Sequence, residues 1–102
     1  MNEPIRVDIP ENILIKDEDQ SDMVLAFNNV TQDTLILKGV SRYLFLRVTA
    51  YKQITHEVLQ EIHGEMSRKY SIPAEGAVWE SEVIRFITGL HYQGFLRMEY
   101  SE

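Results

Sequence analysis

The segment HEVLQEIH, residues 56–63, comes nearest to a catalytic or metal-binding signature in this sequence. A helical zinc-protease site needs histidines at i and i+4, so that both imidazoles reach one ion. Here position 60 is Gln60, and His56 and His63 stand seven residues apart on one helical face, with Glu57 and Glu61 nearby. The spacing leaves two readings, a metal site short of a ligand or solvated histidines on a surface helix, and ligand count favours the second. Glu57 and Glu61 fall at i,i+4, but acid–base catalysis needs a desolvated pocket and this pair is expected on an exposed face. Serine, histidine and aspartate occur without a GxSxG elbow, and the five scattered glycines form no phosphate-binding loop. Cysteine is absent, which removes disulfides, thiolate catalysis and cysteine-ligated metal centres. These residues argue against an enzyme and require no cofactor.

The elements that carry them belong to a short acidic chain. At 102 residues and 44% hydrophobic content it suits one domain with one core. No run approaches the roughly 18–20 apolar residues of a membrane span, and MNEPIRVDIPEN lacks the basic start and apolar stretch of a signal peptide. A cytoplasmic protein without a membrane partner is the expectation. A formal charge of −6 with dispersed basic residues, among which only Arg68 and Lys69 adjoin, argues against nucleic acid as a partner.

Seven acids fall within the first 22 residues (Glu3, Asp8, Glu11, Asp17, Glu18, Asp19, Asp22), and residues 1–21 read as an acidic, loosely held arm with a strand near Ile13 to Ile15. MVLAF (residues 23–27) and TLILK (34–38) read as strands around the turn NNVTQD, giving a three-stranded antiparallel sheet. Neither strand alternates strictly, so both faces of the sheet carry apolar side chains: one can pack on helices and the other needs cover. A first helix is predicted from Val40 to about Ala50, burying Leu44, Phe45 and Val48 and leaving Arg42 and Arg47 to solvent. A second, from Ile54 to Tyr70, repeats apolar residues at Ile54, Val58, Ile62 and Met66. A third is predicted over Ala74 to Gln93, opened by Pro73 and aligning Trp79, Val83, Phe86, Ile87 and Leu90 toward the core. Gly94 then supplies a left-handed cap, on which Phe95 folds back.

A peptide-binding surface fits this arrangement better than a catalytic centre. TLILK has no proline and no inward charge, and a strand of that kind at a sheet edge is a template for an added strand. The alternative is a central strand paired on both sides. Arg85, Thr88, Gly89 and Tyr92 share the face of the third helix opposite its core stripe, which either lines a groove or is plainly solvated.

Over roughly Asp22 to Met98 the sequence resembles the PqqD-like family, named for coenzyme PQQ synthesis protein D. The corresponding stretches are LKGVSRYLF, QITHEVLQEI and EVIRFITGLHYQGFL, the last with Val83, Phe86, Ile87, Leu90, Gly94, Phe95 and Leu96 in register. Two departures stand out: Val40 and Ser41 replace the usual Thr-Gly turn, and the second helix is about one turn longer. The resemblance implies an α+β, winged-helix-like fold, with a three-stranded antiparallel sheet followed by three helices. It also implies a leader-peptide recognition element of a pathway making ribosomally synthesised, modified peptides. In such proteins the leader of a precursor peptide adds to the third strand and lies against the third helix. Carried onto this chain, Thr34, Leu35, Ile36, Leu37 and Lys38 would pair with the peptide, and Arg85, Phe86, Gly89 and Tyr92 would face it. The other implied partner is a modifying enzyme, such as a radical SAM enzyme or a peptidase or cyclase, in routes as different as PQQ biosynthesis and lasso peptide formation. Two rival expectations remain: a winged-helix nucleic-acid-binding protein, and a regulatory module that dimerises by self-pairing of TLILK.

Overall fold

The computed structural model describes residues 4–71 and 76–100. In chain order the elements are strands β1 (Ile5–Asp8), β2 (Ile13–Glu18), β3 (Met23–Asn28) and β4 (Thr34–Lys38), helix α1 (Val40–Tyr51), the two-residue strand β5 (Gln53–Ile54), helices α2 (His56–Tyr70) and α3 (Gly76–Tyr92), and strand β6 (Arg97–Tyr100). The fold is mixed α+β, with two three-stranded antiparallel sheets ordered β5–β1–β6 and β2–β3–β4. The expected helix start at Pro73 and Ala74 lies outside the described residues.

The β2–β3–β4 sheet follows the sequence pattern. Along β3, Val24, Ala26 and Asn28 are buried while Met23, Leu25 and Phe27 are half-exposed, so the alternation concealed by all-apolar composition is a real two-faced strand. The loop after β3 closes on Gln32, which takes a left-handed φ of 68°, with its N–H donating to the Asn28 carbonyl at 2.8 Å.

The other sheet corrects the expectation of a single sheet preceding three helices and, for Ile5–Asp8, of a loosely held arm. Ile5 lies opposite both Ile54 and Tyr100, and Val7 opposite Met98. Ile5, Val7 and Ile54 have no exposed surface, and burying each side chain contributes about 1.5–3 kcal/mol relative to leaving it in water. An acidic stretch can therefore still be anchored: Arg6 points outward while its apolar neighbours point in.

Three further corrections concern the helices. Ile54 belongs to β5 and not to the second helix, which starts at His56 after Thr55 caps it; the Thr55 hydroxyl accepts from Val58 N–H at 3.2 Å. That shifts the buried stripe of α2 to Leu59, Ile62 and Met66, leaving Val58 half-buried. On α3 the stripe Trp79, Val83, Ile87 and Leu90 is buried as expected, but Phe86 is only half-buried at its margin. Arg42, expected in solvent, is buried, and Arg47 pairs with Glu65 at 2.9 Å.

The main core joins Phe45 and Val48 of α1, the α2 stripe, Val83 and Ile87 of α3, and Ile5, Val7 and Ile54 of the β5–β1–β6 sheet. Trp79 fits between α2 and α3 because its indole N–H reaches the Leu59 carbonyl at 3.1 Å. At the end of α3, Gly94 takes φ 87° and Phe95 N–H bonds the Leu90 carbonyl at 2.9 Å, which is the expected left-handed cap. Phe95 packs on Ile13 and Ala26, with Leu35 beside them, and so ties the helix end to the β2–β3–β4 sheet.

Candidate functional site

Strand β4 is an edge strand: among the described residues it pairs with β3 alone. Its hydrogen-bonding parity follows from bonds at its two ends. Asn28 N–H donates to the Asp33 carbonyl at 2.8 Å, and Gly39 N–H donates to the Asp22 carbonyl at 3.0 Å. Both pairs continue the β3–β4 register, in which Ala26 faces Leu35 and Val24 faces Leu37. Antiparallel pairs alternate between bonded and non-bonded, so Leu35 and Leu37 turn their N–H and C=O toward β3. Thr34, Ile36 and Lys38 turn theirs outward, to the open edge.

Side chains split by the same parity. Leu35 and Leu37 are half-buried and pack on the core, which also receives Phe86 of α3. Thr34, Ile36 and Lys38 are exposed on the opposite side of the sheet. The five β4 residues expected to meet a peptide therefore divide by role: three offer backbone to an incoming strand, and two hold the edge on the core. On α3, Arg85 is exposed, Tyr92 is 84% exposed, and a Cβ at Gly89 would meet no atom within 4 Å. These three form an open helical face, whereas Thr88 is drawn toward β6, its hydroxyl 3.6 Å from the Met98 sulfur. The structure thus joins Leu35, Leu37 and Phe86 through the core and leaves Arg85, Gly89 and Tyr92 on the surface.

The other edge of this sheet, β2, is less suited to pairing. Its second half is Lys16, Asp17 and Glu18, and charge along an edge discourages an added strand.

Two polar residues that the sequence pattern did not single out fix this sheet. Asn28 is buried, and its Oδ1 accepts from Asn12 Nδ2 at 2.9 Å, Val30 N–H at 2.9 Å and Thr31 N–H at 3.1 Å, while its Nδ2 donates to the Gly94 carbonyl at 3.1 Å. One side chain thereby organises the β3–β4 loop, the entry to β2 and the cap of α3. Arg42 holds Asp17 through two bonds of 2.7 and 2.9 Å, Asp19 at 3.0 Å and Asp22 at 3.1 Å. Hydrogen bonding to Arg42 holds the Asp17 carboxyl below the usual carboxylate range, against a smaller opposing effect of burial. The Arg42 guanidinium is held above its ordinary value, first by the hydrogen bonds it donates to Asp17. The only sequence signal is three aspartates within six residues, a cluster that attracts a cation; Arg42 reaches it from the first turn of α1, with β3 and β4 in between.

The histidines do not converge. His56 contacts the Glu80 carboxylate across α2 and α3, and the His63 ring lies 5.0 Å from that of Trp79. Among the described residues no three His, Cys, Asp or Glu side chains cluster as metal ligands. Glu57 and Glu61 are exposed, and a different group, Tyr43 with Arg47 and Glu65, occupies the α1–α2 surface; burial and then the Glu65 carboxylate push the Tyr43 phenol upward. No described helix is long and apolar enough to cross a membrane.

Compared with known proteins, the chain matches no family model, no curated protein and no solved structure.

Proposed function

We propose that this protein binds an extended segment of another polypeptide along β4, and that this segment is the leader of a ribosomally made precursor peptide. The reading includes a winged-helix-like arrangement, a cytoplasmic setting, and presentation of the bound precursor to a modifying enzyme such as a radical SAM enzyme or a peptidase or cyclase. The observation that carries it is the open edge of β4, where Thr34, Ile36 and Lys38 face outward with no strand beyond them among the described residues. No proline, bulge or inward charge interrupts that edge.

Energetics decide what else the site must supply. A backbone hydrogen bond contributes about 0.5–1.5 kcal/mol net, while ordering a flexible peptide costs about 2–5 kcal/mol. Three outward residues alone would bind weakly. Apolar peptide side chains set beside Leu35 and Leu37, toward Phe86 and the open α3 face, supply the remainder and fix the register. The protein itself then performs no chemistry, and raises the effective concentration of precursor at the enzyme.

The test is a titration of isotope-labelled protein with synthetic leader peptides of precursors encoded beside its gene. Saturable amide shifts centred on Thr34, Ile36 and Lys38, and extending along Arg85 to Tyr92, are expected. Absence of shifts at those amides with every candidate peptide refutes the reading. Steep salt-dependent binding to DNA instead would put the nucleic-acid alternative in its place.

A further inference from the structure

The outward face of the β2–β3–β4 sheet is a second surface, separate from the β4 edge. The two strand registers lay its side chains out in three rows: Leu14, Phe27 and Thr34; Lys16, Leu25 and Ile36; Glu18, Met23 and Lys38. Leu14 is 63% and Ile36 53% exposed, Val30 at the loop tip is 75% exposed, and the three apolar side chains of β3 are half-exposed. None of the apolar side chains in these rows packs on either core cluster.

We infer that this face is covered by the same face of a second copy of the chain. Its charges complement themselves under one particular two-fold axis. An axis lying in the interface along β3 sets β3 on its counterpart and β2 across from β4 of the second copy. Met23, Leu25 and Phe27 then meet their own equivalents in the centre. At one end, Glu18 of each copy faces Lys38 of the other, giving two intermolecular ion pairs. Lys16, already 3.1 Å from Glu18 in its own chain, lays its aliphatic stem over Ile36 of the second copy with its ammonium in water. Packed sheets turn about 30° against each other, which displaces the charged row by roughly 3–4 Å at a rise of about 3.3 Å per residue. Lysine and glutamate side chains span that displacement.

Area sets the strength. Three strands about 4.8 Å apart and about 20 Å long make a footprint of about 300 Å² per copy, which is small for a specific interface. The association is therefore weak and concentration-dependent. It leaves the β4 edge open, so it stands or falls independently of peptide binding.

Sedimentation equilibrium of the full chain, from a few micromolar to several hundred micromolar, reads it directly. A monomer–dimer equilibrium is expected. Leu25→Lys should abolish it, and Glu18→Lys or Lys38→Glu alone should weaken it roughly tenfold or more. The double variant E18K/K38E should restore it, because the two pairs re-form with charges exchanged. Circular dichroism and thermal unfolding check that each variant is folded, and the rescued double variant serves if Leu25→Lys is not. A monomer at every concentration overturns the inference. So does a dimer that persists in Leu25→Lys but is lost on substituting proline for Ile36, which would mark edge-to-edge pairing of β4, and so does failure of the double exchange to rescue.

Discussion

Replacing Ile36 by proline tests the parity of β4 and its role together. Proline removes one backbone N–H, and at Ile36 that group points to the open edge and not to β3. The ladder bonds holding β4 belong to Leu35 and Leu37 and are untouched, so folded stability should change by less than about 1 kcal/mol. The same substitution at Leu35 removes a ladder donor and a half-buried side chain, and should cost about 3 kcal/mol or more. Binding should respond in the opposite order. With Ile36→Pro, an incoming strand leaves one carbonyl unpaired, a loss of about 1–3 kcal/mol, which corresponds to roughly 5- to 150-fold weaker binding. Urea denaturation and calorimetric titration with a leader peptide measure the two effects. Hydrogen exchange of the peptide-free protein supplies an internal control: the amides of Thr34, Ile36 and Lys38 should exchange quickly and those of Leu35 and Leu37 slowly. If Ile36→Pro unfolds the protein as readily as Leu35→Pro, the parity is wrong. If it folds and binds a leader as tightly as the wild type, strand addition at β4 is wrong.

Two other perturbations address the residues that fix the sheet. Asn28→Ala removes the donor to the Gly94 carbonyl and three accepted hydrogen bonds, and should lower stability by about 2–3 kcal/mol in urea denaturation. Asp17 has a depressed carboxyl pKa in the folded state, so its stabilising contribution is complete above the ordinary carboxylate range and is lost as pH falls through the lowered value. The urea midpoint of the wild type should therefore fall as pH drops below the ordinary carboxylate range. Asp17→Asn should be less stable at neutral pH and show a shallower fall.

Sequence periodicity was a good guide wherever partners lie close along the chain. The β3–β4 hairpin, α1, the capped end of α3 and the return of Phe95 are all local, and their signals (a loop rich in Asn and Asp, helical spacing, Gly94) sit within a few residues of what they determine. The β5–β1–β6 sheet was not legible because its pairings join Ile5 to Ile54 and to Tyr100, far away in sequence. β5 has only two residues, and Ile54 keeps helical spacing with Val58, so periodicity absorbed it into α2. Arg42 was assigned to solvent by its type; its burial depends on Asp17 at the end of β2 and on Asp19 and Asp22 in the turn after it, and helical spacing does not encode that pairing. For the candidate site, the sequence left edge and centre open for TLILK, and only its lack of blocking residues was legible. Which of its backbone groups face outward was not, since that parity is set by the register at Asn28 and Asp33.

The pairing of β1 with β6 also governs how the chain responds to mechanical load. Ile5 and Tyr100 stand opposite each other across one strand spacing. Tension applied between Ile5 and Tyr100 pulls along the inter-strand hydrogen bonds, at right angles to the strands, and opens the pair from Ile5–Tyr100 toward Asp8–Arg97 one rung at a time. Releasing β1 withdraws Ile5 and Val7 from the core beside Phe45 and Val48 before any load reaches β2, β3 or β4. Tethered at its ends, the protein should thus behave as a zipper that yields at low force, with its helical core as the part exposed first.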